Sequence, residues 1–231
     1  MSKTARIQTT APTVGRPRSE ATRQRILAST MGLLGNQSVP AITIEAIARD
    51  AGVSKATIYR WWNSKALVVI DAFIEHHVVQ TPMRRDVAPG EAIAQHMASL
   101  IEQFSGPSGR IAAQIVAEGQ SDPEVLREFR ERFHYGRRAI VREVLVQWRS
   151  SGDISRSTDV EMLMDLLYAP IYFRLLIGHA PLDHAFAREH ISYAFSLLGA
   201  APPSIAAHSK QAARRPTQSK PPGAKAVAQP R

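Results

Sequence analysis

Between residues 43 and 65 the side chains fall in a pattern suited to contacting a polyanion. Lys55, Arg60 and Lys65 bring positive charge, Thr57 and Tyr59 bring hydroxyls, and Ala56 is small enough to let the backbone approach a groove closely. Lys55 can reach a guanine edge or a phosphate, Thr57 and Tyr59 a phosphate or a thymine methyl, and Lys65 a further phosphate. Ser54 can cap a helix whose free N–H groups hold a phosphate. Tyr59 and Trp61 beside Lys55 and Arg60 exceed what a plain helical hairpin with an outward polar face would carry.

Other chemistries find no support. The 231 residues contain no cysteine, which removes disulfide scaffolds, thiolate zinc sites and cysteine nucleophiles. No HExxH, GxSxG or phosphate-cradling glycine-rich loop occurs. His76 and His77 with Glu75, and His179, His184 and His190, do not place three ligands on one helical face, so surface or partly buried histidines are expected rather than a metal site. No catalytic constellation is present, and neither enzymatic activity nor a cofactor is expected.

The elements that must hold the 43–65 window are helical. A first helix is expected from an N-cap at Ser19 to about Asn36, burying Ile26, Met31, Leu33 and Leu34. Pro40 ends helix formation, and Thr43 can cap the next helix, in which Ile44, Ile47, Ala48 and Ala51 share one face. Gly52 supplies a left-handed turn residue before a short helix from Ser54 to about Trp62. Helix, tight turn, helix over 43–62 is the geometry in which a second helix enters a major groove. Trp61 and Trp62 cannot both face outward, so Trp62, four residues after Ile58, belongs to the core and Trp61 to the surface. A longer helix begins near Lys65. After a linker bracketed by Pro82 and Pro89, helices are expected at roughly 90–104, 108–120, 123–150, 157–177 and 183–199.

The fold class is therefore all-α with nine helices. A three-helix helix-turn-helix domain over 19–79 joins a larger helical bundle over 80–200. A basic arm, 1–18, and a Pro-rich basic tail, 201–231, read as flexible. The formal charge is +9, from 29 basic and 20 acidic side chains. Six basic groups and one acid fall in 1–25, and six basic groups and no acid in 203–231. That leaves 17 basic and 19 acidic groups for a nearly neutral body. Basic ends suit a nucleic-acid partner, or they serve solubility alone. The N-terminus lacks the apolar run of a secretory signal, and the stretch 191–207 is too short to span a bilayer. A cytoplasmic, nucleoid-associated protein with no membrane partner is expected.

Thr43-Ile44-Glu45-Ala46-Ile47-Ala48, Ala51-Gly52-Val53-Ser54-Lys55-Ala56-Thr57-Ile58-Tyr59-Arg60-Trp61-Trp62 and Ser64-Lys65 together resemble the TetR family of transcriptional regulators, closely over about 19–79. The downstream half agrees in length and helical character. Ala56 stands where the family often has Gly, Trp62 where Phe is frequent, and Ala66 where an acid usually follows the lysine. The resemblance implies DNA contacts at Thr43, Ser54, Lys55, Ala56, Thr57, Tyr59, Arg60, Trp61 and Lys65. It also implies a homodimer through the last two helices, about 157–199, and a small-molecule effector in the second domain that relieves repression at a near-palindromic operator.

Three readings stay open in the sequence. Gly15-Arg16-Pro17-Arg18 resembles an AT-hook core, with Arg16 and Arg18 in a narrow minor groove, or it is a solvated linker. The last two helices are apolar enough for a subunit interface or form the core of their own half. Met97, Phe104, Phe133, Trp148 and Tyr168 can line an effector pocket or simply pack the bundle. Glu118, polar in an apolar stretch, meets a ligand or an arginine such as Arg110. The rival function is a nonspecific architectural nucleic-acid-binding protein acting through its basic tails.

Overall fold

A computed structural model of the chain describes residues 19–203. Arg16, Arg18, the rest of the basic arm and the tail from residue 204 lie outside the described residues. Among the described residues the regular structure is helical throughout: α1 Glu20–Asn36, α2 Ile44–Asp50, α3 Lys55–Tyr59, α4 Lys65–Gln80, α5 Pro89–Phe104, α6 Pro107–Ser121, α7 Pro123–Phe129, α8 Tyr135–Ser151, α9 Val160–Ile177 and α10 His184–Leu197. A π turn, Arg130–His134, joins α7 to α8 without a break, so the ten helical segments make nine rods. The sequence predicts those nine rods and treats 123–150 as one regular helix. The π turn inside it is a departure. None of the helices is long and apolar enough to cross a membrane, among the described residues.

Punctuation residues act as their chemistry dictates. Thr43, Ser54 and Ser64 accept from the backbone N–H three residues on, at 3.1, 3.2 and 3.4 Å. The carboxylates of Asp122, Asp159 and Asp183 cap α7, α9 and α10, accepting from the N–H of Glu124, of Glu161 and Met162, and of Phe186. Ser19 holds the N-cap position of α1, but its hydroxyl makes no capping bond. On α1 the fully buried positions are Ile26, Leu27, Thr30 and Leu34, with Met31 and Leu33 half-buried beside them.

The core is continuous from Ile26 to Phe195. α1, α2 and α3 pack together, and α4 packs against α1 on one side and against α6, α7 and the π turn on the other. In the larger half α5 is the central rod, touched by α6, α8, α9 and α10. Its Ile93, Ala94, Met97 and Ile101 are essentially inaccessible. A Cβ at Gly109, early in α6, would stand 2.0 Å from the Phe104 carbonyl oxygen at the end of α5, so only glycine permits this close turn.

Two glycine substitutions should move stability in opposite directions. Gly109→Ala forces backbone apart and is expected to cost about 3 kcal/mol. Gly32→Ala, on the exposed side of α1 with nothing within 4 Å of the added carbon, should stabilise by about 0.5–1 kcal/mol. Urea denaturation at one fixed protein concentration checks both.

Candidate nucleic-acid interface

α2 and α3 are locked by their inward residues. Ile44, Ile47, Ala48 and Ile58 are buried, Gly52 turns the chain at φ 64°, and the Val53 N–H returns to the Ala48 carbonyl at 2.9 Å. Such a turn needs a residue that tolerates positive φ. With these positions inward, Ser54, Lys55, Ala56, Tyr59 and Arg60 are left on the outer face, all exposed, and Thr43 is exposed at the start of α2. Tyr59 keeps 51% of its surface in solvent although it is a large aromatic side chain.

An open groove of about 600 Å³ runs between the start of α1 and the α2–α3 turn, lined among others by Ser19, Thr22, Arg25, Ser54, Thr57 and Arg60. Arg25 and Thr22 were not singled out from the sequence as contact residues. They reach the same surface as α3 because the start of α1 borders the same groove. The signal available in the sequence was the basic excess of residues 1–25.

Several candidates have work inside the protein. The Lys55 ammonium lies 3.0 Å from Glu45 Oε1 on α2, with both side chains exposed. The hydrogen bond and charge of Lys55 hold the Glu45 carboxyl below its ordinary range, and Glu45 raises Lys55 in return. Thr57 is half-buried with its hydroxyl 2.9 Å from that of Ser54. Lys65 donates to the carbonyls of Val39 at 2.9 Å and Pro40 at 3.4 Å, bracing the loop before α2. α3 spans five residues, so few peptide dipoles align there. Anion binding at its N-terminus therefore rests on the surrounding side chains.

The two tryptophans divide in part as expected. Trp62 is 2% exposed, and its indole N–H donates to Asp71 Oδ2 at 2.8 Å. Trp61, expected on the surface, is half-buried against the core with its ring 6.0 Å from that of Trp62. A large aromatic beside a buried one gains more by packing than by standing in water. Asp71 also faces Arg132 at 3.2 Å and Arg23 at 3.9 Å. The recognition segment is thereby tied by charge to α1 and to the π turn, a link that no local spacing reveals.

In the larger half a cavity of about 30 Å³ is lined by His77, His96, Leu100, Phe133, His134, Arg137, Arg138, Tyr168 and Tyr172. Of the expected pocket residues, Phe133 and Tyr168 reach it. Met97, Phe104, Trp148 and Glu118 do not line it. Met97 and Phe104 are core, the latter packed behind Tyr172 with ring centroids 5.7 Å apart. Trp148 packs on Phe195 at 4.9 Å, and Glu118 is half-buried on α6. An apolar helix face looks alike from sequence whether it meets a void or another helix. His190, one of the histidines weighed as a ligand, lies 2.8 Å from the Leu167 carbonyl. Among the described residues no three His, Asp or Glu side chains gather as a metal site.

Comparisons with known proteins agree with this geometry. Residues 26–71 match the family model for bacterial regulatory proteins of the tetR family, and 88–194 the model for the tetracyclin repressor-like C-terminal domain. The HTH-type transcriptional regulator YdeS of Bacillus subtilis (strain 168) is 33% identical over 181 residues, 78% of this chain and 91% of the relative. The HTH-type regulator Rv1556 of Mycobacterium tuberculosis (strain ATCC 25618 / H37Rv) is 30% identical over 156 residues, covering 68% and 77%. The crystal structure of the TetR family transcription regulator SCO0332 superposes with a TM-score of 0.65 at 29% identity, over 80% of this chain and 100% of that one.

The Lys55–Glu45 pair yields a charge test. Glu45→Gln removes the carboxylate that pairs with Lys55 and releases that ammonium, so duplex binding should tighten about three-fold at low salt. Lys55→Ala should weaken operator and random duplex alike and reduce the salt slope by about one. Fluorescence anisotropy across a salt series measures both.

Proposed function

We propose that this chain, which belongs to the TetR family of bacterial helix-turn-helix transcriptional regulators, is a repressor that binds a near-palindromic operator as a homodimer. A small-molecule effector in the larger helical half releases it. It works on double-stranded DNA in the cytoplasm, at the nucleoid, and no catalytic step is part of its action. The observation that carries the reading is the outer face of α3, where exposed Lys55, Ala56, Tyr59 and Arg60 are held on a segment whose inner residue, Ile58, is fully buried. A rigid, small-footprint segment with donors and an aromatic on one side suits base and phosphate contact in a major groove. Thr43, Ser54, Thr57, Trp61 and Lys65 flank that contact, Arg25 extends it along α1, and Arg16 and Arg18 extend it into the minor groove.

Dimerisation is supported by where apolar surface remains exposed. Met162, Leu166, Phe173, Leu176, Ile177, Tyr193 and Leu197 are all at least 46% exposed, and all belong to α9 or α10. Between these helices runs an apolar groove of about 300 Å³ bordered by Met162, Leu166, Pro170, Tyr193 and Leu197. Apolar surface of that extent on two neighbouring helices suits a subunit interface. Reading two half-sites in successive major grooves would require the two α3 segments to stand one helical turn of DNA apart, about 34 Å.

Two measurements test this reading. A footprint on the DNA flanking its own gene should cover an inverted repeat, and Tyr59→Ala should weaken it by about ten-fold or more. Uniform coating of any duplex, indifferent to Tyr59→Ala, would return the function to the basic tails. Leu166→Glu should convert the dimer to monomer in analytical ultracentrifugation. Retention of the dimer by this variant would move the interface elsewhere.

A further inference from the structure

The cavity bounded by α4, α5, the π turn, α8 and α9 carries a charge that the protein leaves unanswered. Arg137 reaches toward it from α8, half-buried. All its hydrogen bonds leave from one nitrogen. Nη2 donates to the Thr81 carbonyl and to Thr81 Oγ1 at 3.2 Å, and lies 3.5 Å from His96 Nδ1. Nη1 and Nε have no partner among the described residues. The neighbouring Arg138, by contrast, is paired with Glu161 at 2.9 Å and Asp165 at 2.7 Å. No aspartate or glutamate lines the cavity. His77, 1% exposed, has its Nδ1 buried with no partner among the described residues.

Of the other polar groups facing the cavity, Arg138 is spent on Glu161 and Asp165, and the rest are neutral. Burial, and after it the Arg137 charge, depress His77 and His96 to about 3. His134 is lowered by burial and by Arg138. Burial raises the hydroxyl of Tyr168 and pushes that of Tyr172 up to about 12, so both stay protonated. The tautomer of His96 follows from its neighbours. Arg137 can only donate, so His96 Nδ1 accepts and Nε2 carries the proton. Nε2–H then donates to the Tyr168 oxygen, 3.0 Å away, which leaves the Tyr168 proton for another acceptor. A guanidinium with unspent donors, a hydroxyl proton with no assigned acceptor and no competing carboxylate describe a site for an anion.

We propose that this cavity binds the carboxylate of a small organic acid, with Arg137 as the charge partner, Tyr168 as a second donor oriented by His96, and the apolar body of the acid against Leu100, Phe133 and Tyr172. The volume of about 30 Å³ accommodates only the head group. A larger acid must therefore displace part of the wall. The inference deepens the ligand-responsive reading above by naming the effector class, and it rests on that reading only for its regulatory meaning.

Isothermal titration calorimetry of the full chain at pH 7.5 tests it, with acetate, benzoate and octanoate as probes and benzamide as the neutral counterpart of benzoate. At least one carboxylate is expected to bind, with benzamide at least ten-fold weaker than benzoate. Arg137→Gln should weaken the bound acid ten-fold or more. Tyr168→Phe, which keeps the packing and decides the matter if Arg137→Gln fails to fold, should weaken it several-fold. Silence from all three acids, equal binding of benzamide and benzoate, or a Tyr168→Phe variant that binds like the parent overturns the proposal. Binding that leaves the DNA complex untouched supports the site and counts instead against the ligand-responsive reading.

Discussion

The arrangement depends on the burial of α4 from both sides. Val68, Val69 and Ile70 are consecutive and none is more than 1% exposed. Three successive helical residues point in three directions about 100° apart, so a segment buried at all of them is covered on more than one side. α4 thus belongs at once to the core under α2 and α3 and to the core of the larger bundle. Phe73 shows the second half of this role, meeting Phe133 at 5.1 Å and Phe129 at 6.2 Å between ring centroids. Close-packed interiors do not deform gradually. Movement of α4 therefore has to be accommodated in both halves together.

Polar contacts run along the same seam. Asp71, on the part of α4 that approaches the recognition segment, accepts from Trp62 and faces Arg132 and Arg23. Val39, in the loop that α4 braces through Lys65, donates its backbone N–H to Gln114 of α6 at 2.7 Å. Each of these bonds joins the small half to an element of the larger one or to α4. Partly buried, charge-assisted bonds of this type fix orientation more than they add stability. Their consequence is a defined angle between the α2–α3 unit and the bundle. A dimeric reader of spaced half-sites requires such an angle.

Local features of this design were legible in the sequence because local physics sets them. The caps at Thr43 and Ser54 and the turn at Gly52 follow from side-chain oxygens and positive φ. Trp62 fell to the core because it lies one turn beyond Ile58. Features made by contacts distant in sequence were not legible. The Trp62–Asp71–Arg132 chain spans 61 residues between its charged partners, and the carbonyls that hold Lys65 lie 26 and 25 residues away. The π turn at Arg130–His134 has no composition signal, since its extra residue is accommodated by packing against α4. For the same reason Met97 and Trp148 could not be separated from Phe133 and Tyr168. All four are large apolar or aromatic residues on amphipathic helices, and only three-dimensional packing decides which of them border a void.

The π turn joins these threads. Arg132 and Phe133 are adjacent in it, yet Arg132 reaches Asp71 at the edge of the small half while Phe133 borders the cavity. The wall of the cavity also includes His77, which stands on α4 twelve residues after Lys65, about 18 Å along one helix. His77 also packs edge-on against Phe133 at 4.8 Å. The cavity wall is thus continuous with two connections toward α3, one through the rod of α4 and one through Arg132 and Asp71. A regular helix over 123–151 would remove the extra residue, turn every side chain beyond it by about 100° on the helix, and separate Arg137 from Thr81 and His96. The irregularity that sequence patterning passes over is what places the unpaired guanidinium and the linking arginine on one rod.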